Sequence, residues 1–425
     1  MSVRCRGIAV LFSFALACST GCFAPDPAFT VNGVHLLKWE REFNETFTEG
    51  RRSELDQISR ELFGSPDEPR IPRFTPVDVS AAVSIERLKM AAGPVASDEE
   101  GRPTGLYRKH CAHCHGVAGD GVGPTAAYLD PYPRDFRRGV FKFKSTPKGR
   151  KPGDEDLRRL LVRGIPGTAM PSYAALSDDE LEALVQYVKY LSIRGEVERE
   201  LIDYAASELD PDEPIIDEDA WEEERREQEK LVMAIAQKVV ESWERAEFYV
   251  TPVPDRDADR DLAASLKRGR ELFFGDVAGC VKCHGATGRG DGQTNDFDDW
   301  TKAIEPTNAD AVAAYRKVGA LPPMNIRPRS FRLGVFRGGD DPADLYRRIR
   351  NGIDGTPMPE SMVAKPGESS ARNGLTPDDV WCLIDYVRSL GKRGQDSFPA
   401  GKRGQDSFPD NRADPIQARH SGKES

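Results

Sequence analysis

Two stretches of the chain repeat one hydrophobic rhythm. Leu181, Leu184, Val185, Val188 and Leu191 fall on one face at helical spacing, and far downstream Val380, Leu383, Ile384 and Val387 do the same. Each stripe follows a helix start signal. Ser177-Asp-Asp-Glu180 is a capping box, in which serine and glutamate satisfy free amides of the first turn, and Thr376 stands before a Pro377 suited to that turn. A shorter helix is predicted upstream of each stripe, over 105–110 and 265–274. Leu231, Ile235, Val239 and Trp243 mark a longer, heavily charged helix within 222–249. Near the start, Glu49 to Leu62 predicts another charged helix, and an Ala/Val segment runs from Val77 to Ala92. Duplication at domain scale is itself a structural statement: two helical units of one plan.

Composition adds three points. The apolar run Gly7–Ala17, preceded by Arg4 and Arg6, is too short for a permanent membrane span and reads as an export signal, residues 1–22. Ala17-Cys18 and Gly21-Cys22 each look like a lipoprotein processing site. Either Cys18 or Cys22 is then the lipidated residue, with an ordinary cleaved signal as the alternative. The expected location is periplasmic, tethered to the membrane by an N-terminal lipid. Second, residues 196–261 hold 23 Asp/Glu against 8 Lys/Arg in a chain of net charge −10, so the rest is net positive. This acidic connector is a solvated spacer, or a surface that neutralises the basic stretch Arg134–Lys151 or steers a basic partner. Third, the tail repeats Gly-Lys-Arg-Gly-Gln-Asp-Ser-Phe-Pro at 391–399 and 401–409, and its polar composition predicts disorder over 393–425.

Cysteine spacing supplies the chemistry. Cys111-Ala-His-Cys114-His115 and Cys280-Val-Lys-Cys283-His284 are both C-x-x-C-H, the attachment sequence of c-type haem. Two thiols add to the porphyrin vinyl groups while the adjacent imidazole turns to the iron. The competing reading of a C-x-x-C is a redox or zinc site. Of the other cysteines, Cys5, Cys18 and Cys22 lie in the leader and Cys382 reads as a buried free thiol, so no disulfide framework is expected.

Both halves resemble class I cytochrome c domains, on the haem motifs, the paired helices and a later Gly-x-x-Gly-x-x-Met-Pro. The fold class implied is all-α: extension 24–100, domain 101–195, connector 196–261 and domain 262–392. In that family a small residue and an aromatic on the first helix meet Leu and Tyr on the last. Gly269 and Phe273 match the first pair, and Leu383 and Tyr386 match the second. In the first unit Leu184, Tyr187 and Tyr107 match, whereas Pro103 stands where the glycine belongs, with Gly105 nearby.

The resemblance also implies the metal ligands. His115 and His284 are proximal ligands; Met170 in Gly164-Ile-Pro-Gly-Thr-Ala-Met-Pro is the sixth ligand of the first iron, and it is the one methionine between His115 and the domain end. Met358 in Gly352-Ile-Asp-Gly-Thr-Pro-Met-Pro takes that place in the second, with Met324 and Met362 as competitors. His110 and His113 read as loop residues. Pro124 matches the proline whose carbonyl accepts the proximal imidazole N–H, and Gln293 stands in its place in the second unit. Pro133-Arg134-Asp-Phe and Pro328-Arg329-Ser-Phe match each other; Arg134 and Arg329 are candidates to pair with haem propionates, or else solvated turn residues.

Two haem c groups with His/Met ligation imply an electron carrier, not an enzyme. The expected donor is a membrane quinol-oxidising complex and the acceptor an oxidase or soluble cytochrome, with no nucleic-acid partner. The alternatives are a dihaem peroxidase-like enzyme, which would leave one iron open, and a fixed subunit of a respiratory complex docked through 24–100.

Overall fold

The computed structural model describes residues 27–72, 83–364 and 374–395. Cys18, Cys22 and the repeated tail from 396 onward lie outside the described residues. Helices dominate: among the described residues the strands are β1 (Ala96–Ser97) and β2 (Pro103–Thr104), a two-residue antiparallel pair.

The extension folds into α1 (Gly33–Phe43), α2 (Glu49–Phe63) and α3 (Ile85–Ala91). Asn32 and Thr48 cap the first two, their side chains accepting from His35 N and Arg51 N. The haem motif follows on α4 (Leu106–His110) and α5 (Ala112–His115), then α6 (Asp154–Arg163) and α7 (Asp178–Ser207). The Ser177–Glu180 capping box forms as predicted. The stripe it starts does not stop at Gly195; the apolar rhythm continues through Val197, Leu201 and Ile202, and all three are buried. One unbroken helix therefore joins the first unit to the connector.

That long helix organises one shared core. Leu55, Leu88 and Leu106, fully buried, join Leu184 and Leu191 of α7 in it. Burying each such leucine stabilises the fold by about 1.5–3 kcal/mol. Polar ties add to it: Tyr187 Oη donates to Pro66 O at 3.2 Å, and Ser84 N donates to Gln186 Oε1 at 2.8 Å. Residues 27–72 and 83–92 thus fold into the first unit. From the other side α8 (Glu222–Glu244) buries Val232, Ala236, Val239 and Trp243 in the same core, one residue out of register with the predicted stripe at Leu231 and Ile235.

The second unit is smaller. Here α9 (Leu262–Phe274) crosses α14 (Pro377–Gln395), with the motif helix α10 (Val281–His284), the short α11 (Asp299–Lys302), α12 (Ala309–Lys317) and α13 (Pro342–Asn351) between them. Thr376 caps α14 through Asp379 N at 3.0 Å. Gly269 makes the crossing possible: a Cβ there would lie 2.0 Å from Cys382 O. Phe273 meets Tyr386 with ring centroids 5.3 Å apart. The first unit has only five residues in α4, and the space is filled by α3 of the extension against α7.

The units meet closely. Ser145 O accepts from Thr251 N at 2.9 Å and from Asn351 Nδ2 at 3.3 Å, and Asp344 of α13 pairs with Arg159 and Arg163 of α6. The expected neutralisation of Arg134–Lys151 by the connector is confined to Lys151 with Glu196. Lys142 and Lys144 instead pair with Asp298 and Asp354 of the second unit, at 3.7 Å and 2.7 Å.

Candidate functional site

Each C-x-x-C-H sequence forms one turn of helix closed by a glycine. His115 N and His284 N each donate to the carbonyl of the first cysteine at 2.9 Å, and Gly121 N and Gly290 N close the following loops on the His115 and His284 carbonyls at 2.9 Å. The turn places both thiols and the imidazole on one side of the chain. In the first unit Cys111, Cys114, His115 and Met170 line a single cavity with an apolar wall that includes Leu157 and Leu161.

The imidazoles are oriented by a shared device. His115 Nδ1 lies 3.0 Å from Arg134 O, and His284 Nδ1 lies 3.3 Å from Arg329 O. Phe136 stacks on His115 at 4.5 Å and 15°, and Phe331 on His284 at 4.3 Å and 21°. Burial pushes His115 down to about 4 and also lowers His284. The neutral ring donates Nδ1–H to the carbonyl and keeps the Nε2 lone pair free for a metal.

This corrects the role assigned to Pro124. Pro124 is exposed, and the loop after the first motif turns its backbone to Ala112–Cys114, with Gly123 N donating to Cys114 O at 3.1 Å. The acceptor is the arginine of the Pro-Arg-x-Phe pair in both units, so the second unit's lack of that proline leaves no gap. The motif match between Pro133–Phe136 and Pro328–Phe331 was the available signal.

The two methionine loops are the same structure. In the first, Ile165 N donates to Met170 O at 3.1 Å, Thr168 N and Oγ1 donate to Ile165 O, and Met170 N donates to Thr168 Oγ1 at 3.1 Å. In the second, Ile353 N donates to Met358 O at 3.3 Å, Thr356 N and Oγ1 donate to Ile353 O, and Met358 N donates to Thr356 Oγ1 at 3.2 Å. Gly164 and Gly352, at φ +63° and +66°, let the loop fold over its own proline. Met362 is 71% exposed and Met324 lies outside this frame. His113 is exposed, and His110 gives its carbonyl to Tyr173 Oη at 2.7 Å.

A zinc or redox C-x-x-C finds no support. Among the described residues no group of three or more His, Cys, Asp or Glu side chains is placed to hold a metal ion. Burial pushes Cys111 up to about 12 and Cys280 up to about 11, away from the reactive thiolate range.

The sequence matches the family Cytochrome c at residues 104–192 and 266–391, just over half of the chain. The chain belongs to the cytochrome c family. No curated protein matches it. Among solved structures, a chain of the Kuenenia stuttgartiensis reducing HAO-like protein complex Kustc0457/Kustc0458 is similar at 27% identity, covering 70% of this chain and 98% of that one, with a TM-score of 0.40. That score carries no weight for the arrangement of the two units. The cytochrome has two domains of an all-α fold, and its family implies covalently bound c-type haem and haem-based electron transfer.

The residues present fit such a group. The first cavity combines two thiols and an imidazole with cations: Arg134, Lys142 and Arg337 line it while no carboxylate does, and burial pushes Arg134 down to about 10 and Lys142 down to about 7. Haem carboxylates are the anions this wall lacks. Arg329 Nε, Arg337 Nε and Trp300 Nε1 are buried without a hydrogen-bond partner. Arg337 and Trp300 come from the second unit and were not legible as site residues, because nothing local to them resembles a haem motif.

Proposed function

We propose that this cytochrome is an exported, lipid-tethered electron carrier with two haems, relaying electrons from a membrane quinol-oxidising complex to an oxidase or soluble cytochrome. A bound haem c supplies a one-electron couple. Cys111 and Cys114 anchor the first group and Cys280 and Cys283 the second. His115 and His284 present Nε2, held in orientation by the Arg134 and Arg329 carbonyls. Met170 and Met358 present thioethers, which favour the reduced state and shut the site to small molecules. The chain thereby sets potential and access and leaves no open position for a substrate.

The observation that carries this reading is the bond-for-bond identity of the two methionine loops. It favours Met358 over Met324 and Met362 and supports a closed site in each unit. Near-infrared and low-temperature spin-resonance spectra of the oxidised protein are expected to show His/Met signatures from both haems. A high-spin or bis-histidine population in one would replace the carrier by a peroxidase-like enzyme. Met358→Ala is expected to open one haem to carbon monoxide while leaving the other closed. Mass spectrometry of the mature N-terminus checks lipidation at Cys18 or Cys22.

A further inference from the structure

Arginines cross between the two units. Arg134, whose carbonyl faces His115, lays its guanidinium 3.8 Å from the ring centre of Trp300 in the second unit. Arg138 and Lys142 approach the same ring at 5.0 Å and 5.4 Å. Trp300 in turn sits on the Met358 loop, so closely that a Cβ on Gly355 would lie 2.1 Å from it. Lys148 closes the grip by donating to Thr356 O at 3.3 Å and Met358 O at 3.2 Å.

The second unit answers in kind. Arg329, whose carbonyl faces His284, has its guanidinium 3.0 Å from the position of a Cβ on Gly167, inside the Met170 loop. Arg337 donates to Gly167 O at 3.5 Å and lines the first unit's cavity. In each unit one residue therefore touches its own imidazole through the backbone and reaches the other unit's methionine loop through the side chain, Arg329 directly and Arg134 by way of Trp300.

We propose that Arg134, acting through Trp300, and Arg329 form a reciprocal clamp that fixes each methionine loop against the other unit so that the two haem sites exchange electrons within the chain. They act as positioning residues. With haem bound at both sites one electron would leave one iron as the other gains it, with no bond or proton moved. Because each arginine spans both sites, a shift at the Met170 loop reaches His284 through Arg329 alone and a shift at the Met358 loop reaches His115 through Trp300 and Arg134, and the coupling is mutual. This inference rests on the two-haem reading above.

The test uses the full-length holoprotein, reduced by a photoexcited flavin at less than one electron per molecule, with the redistribution between haems read as an absorbance phase independent of protein concentration. Arg134→Met keeps the backbone carbonyl and removes only the guanidinium; Trp300→Leu removes the ring. Both are expected to slow the phase by about tenfold or more, since small misplacements of redox partners carry large rate penalties, and Arg134→Lys is expected to restore most of the rate. Loss of the second unit's methionine band in Arg134→Met, recovered in Arg134→Lys, supports the clamp equally, because that guanidinium stacks on the second unit's Trp300. A phase slowed by less than about tenfold in both variants overturns it. So does a wild-type protein with both methionine bands and no intramolecular phase. A wild-type protein lacking one band instead refutes the two-site carrier reading itself.

Discussion

The two haem units hold their imidazole and methionine with the same hydrogen bonds, yet they are built on different scaffolds. The second relies on a long opening helix, α9, pressed into α14 at Gly269. The first has an opening helix of five residues and takes its packing from the extension and the connector, both buried against α7. The spacing from imidazole to its carbonyl acceptor differs as well, 19 residues in the first and 45 in the second. The longer loop carries α11 and α12, hence Trp300 and Asp298. Its Tyr315 and Ile304 pack beside Val34 and Leu37 of the extension, and Arg41 pairs with Glu305 at 2.8 Å. Material added to one unit meets material added to the other. The difference teaches that the haem-holding bonds are local and portable, whereas the scaffold around them is negotiable.

Substitutions that respect one scaffold and damage the other sharpen this contrast. The largest effect is expected from Gly269→Val, which forces branched atoms into the Cys382 backbone; destabilisation of about 3 kcal/mol or more should appear as early thermal loss of one methionine band. Leu88→Ala, in the extension, is expected to cost about 2–4 kcal/mol through the cavity it leaves, although residue 88 lies outside the haem-motif region. If thermal melts show that Leu88→Ala is neutral, the extension is an appendage and not part of the first unit. Tyr187→Phe removes the hydroxyl that ties α7 to Pro66 O and should cost about 1 kcal/mol. Tyr386→Phe, at the matching place, should be nearly silent in the same denaturant titration, since its hydroxyl makes no hydrogen bond among the described residues.

The smallest expected effect concerns pH. Burial holds His35 of α1 below its ordinary value of 6.5, against the opposing pull of its hydrogen bond to Asp203. Its folded form binds fewer protons than its unfolded form, so this contribution is present above about pH 6.5 and is lost as the pH falls below it. In the second unit burial is the largest single influence on Asp385 and raises it, but the hydrogen bonds from Arg260, Arg256 and Ser265 together hold it below its ordinary value of 3.8, so it loses its contribution only in stronger acid. Melting temperature measured from pH 7 to pH 5 should therefore fall less in His35→Gln than in the parent protein.

Much of the site was legible residue by residue. The C-x-x-C-H turns, the glycine frames around Met170 and Met358, and the capping signals at Ser177 and Thr376 are short-range patterns, and short-range geometry follows from them directly. The carbonyl that accepts each imidazole N–H was not. A carbonyl belongs to every residue, so no side-chain pattern distinguishes Pro124 O from Arg134 O until the loop is folded. The boundary at residue 195 fails for a related reason: Arg137 packs on Gly195 and the helix passes through.

By itself the sequence determined the two haem motifs, their methionine loops and the all-α class, because each is set by contacts within a few residues or by periodicity. Tertiary structure decided what covers α7, which carbonyl orients each imidazole, and that Arg134, Arg329 and Trp300 cross between units. Those outcomes depend on long-range packing, where the same apolar face or cation accepts many partners and only the assembled fold selects one.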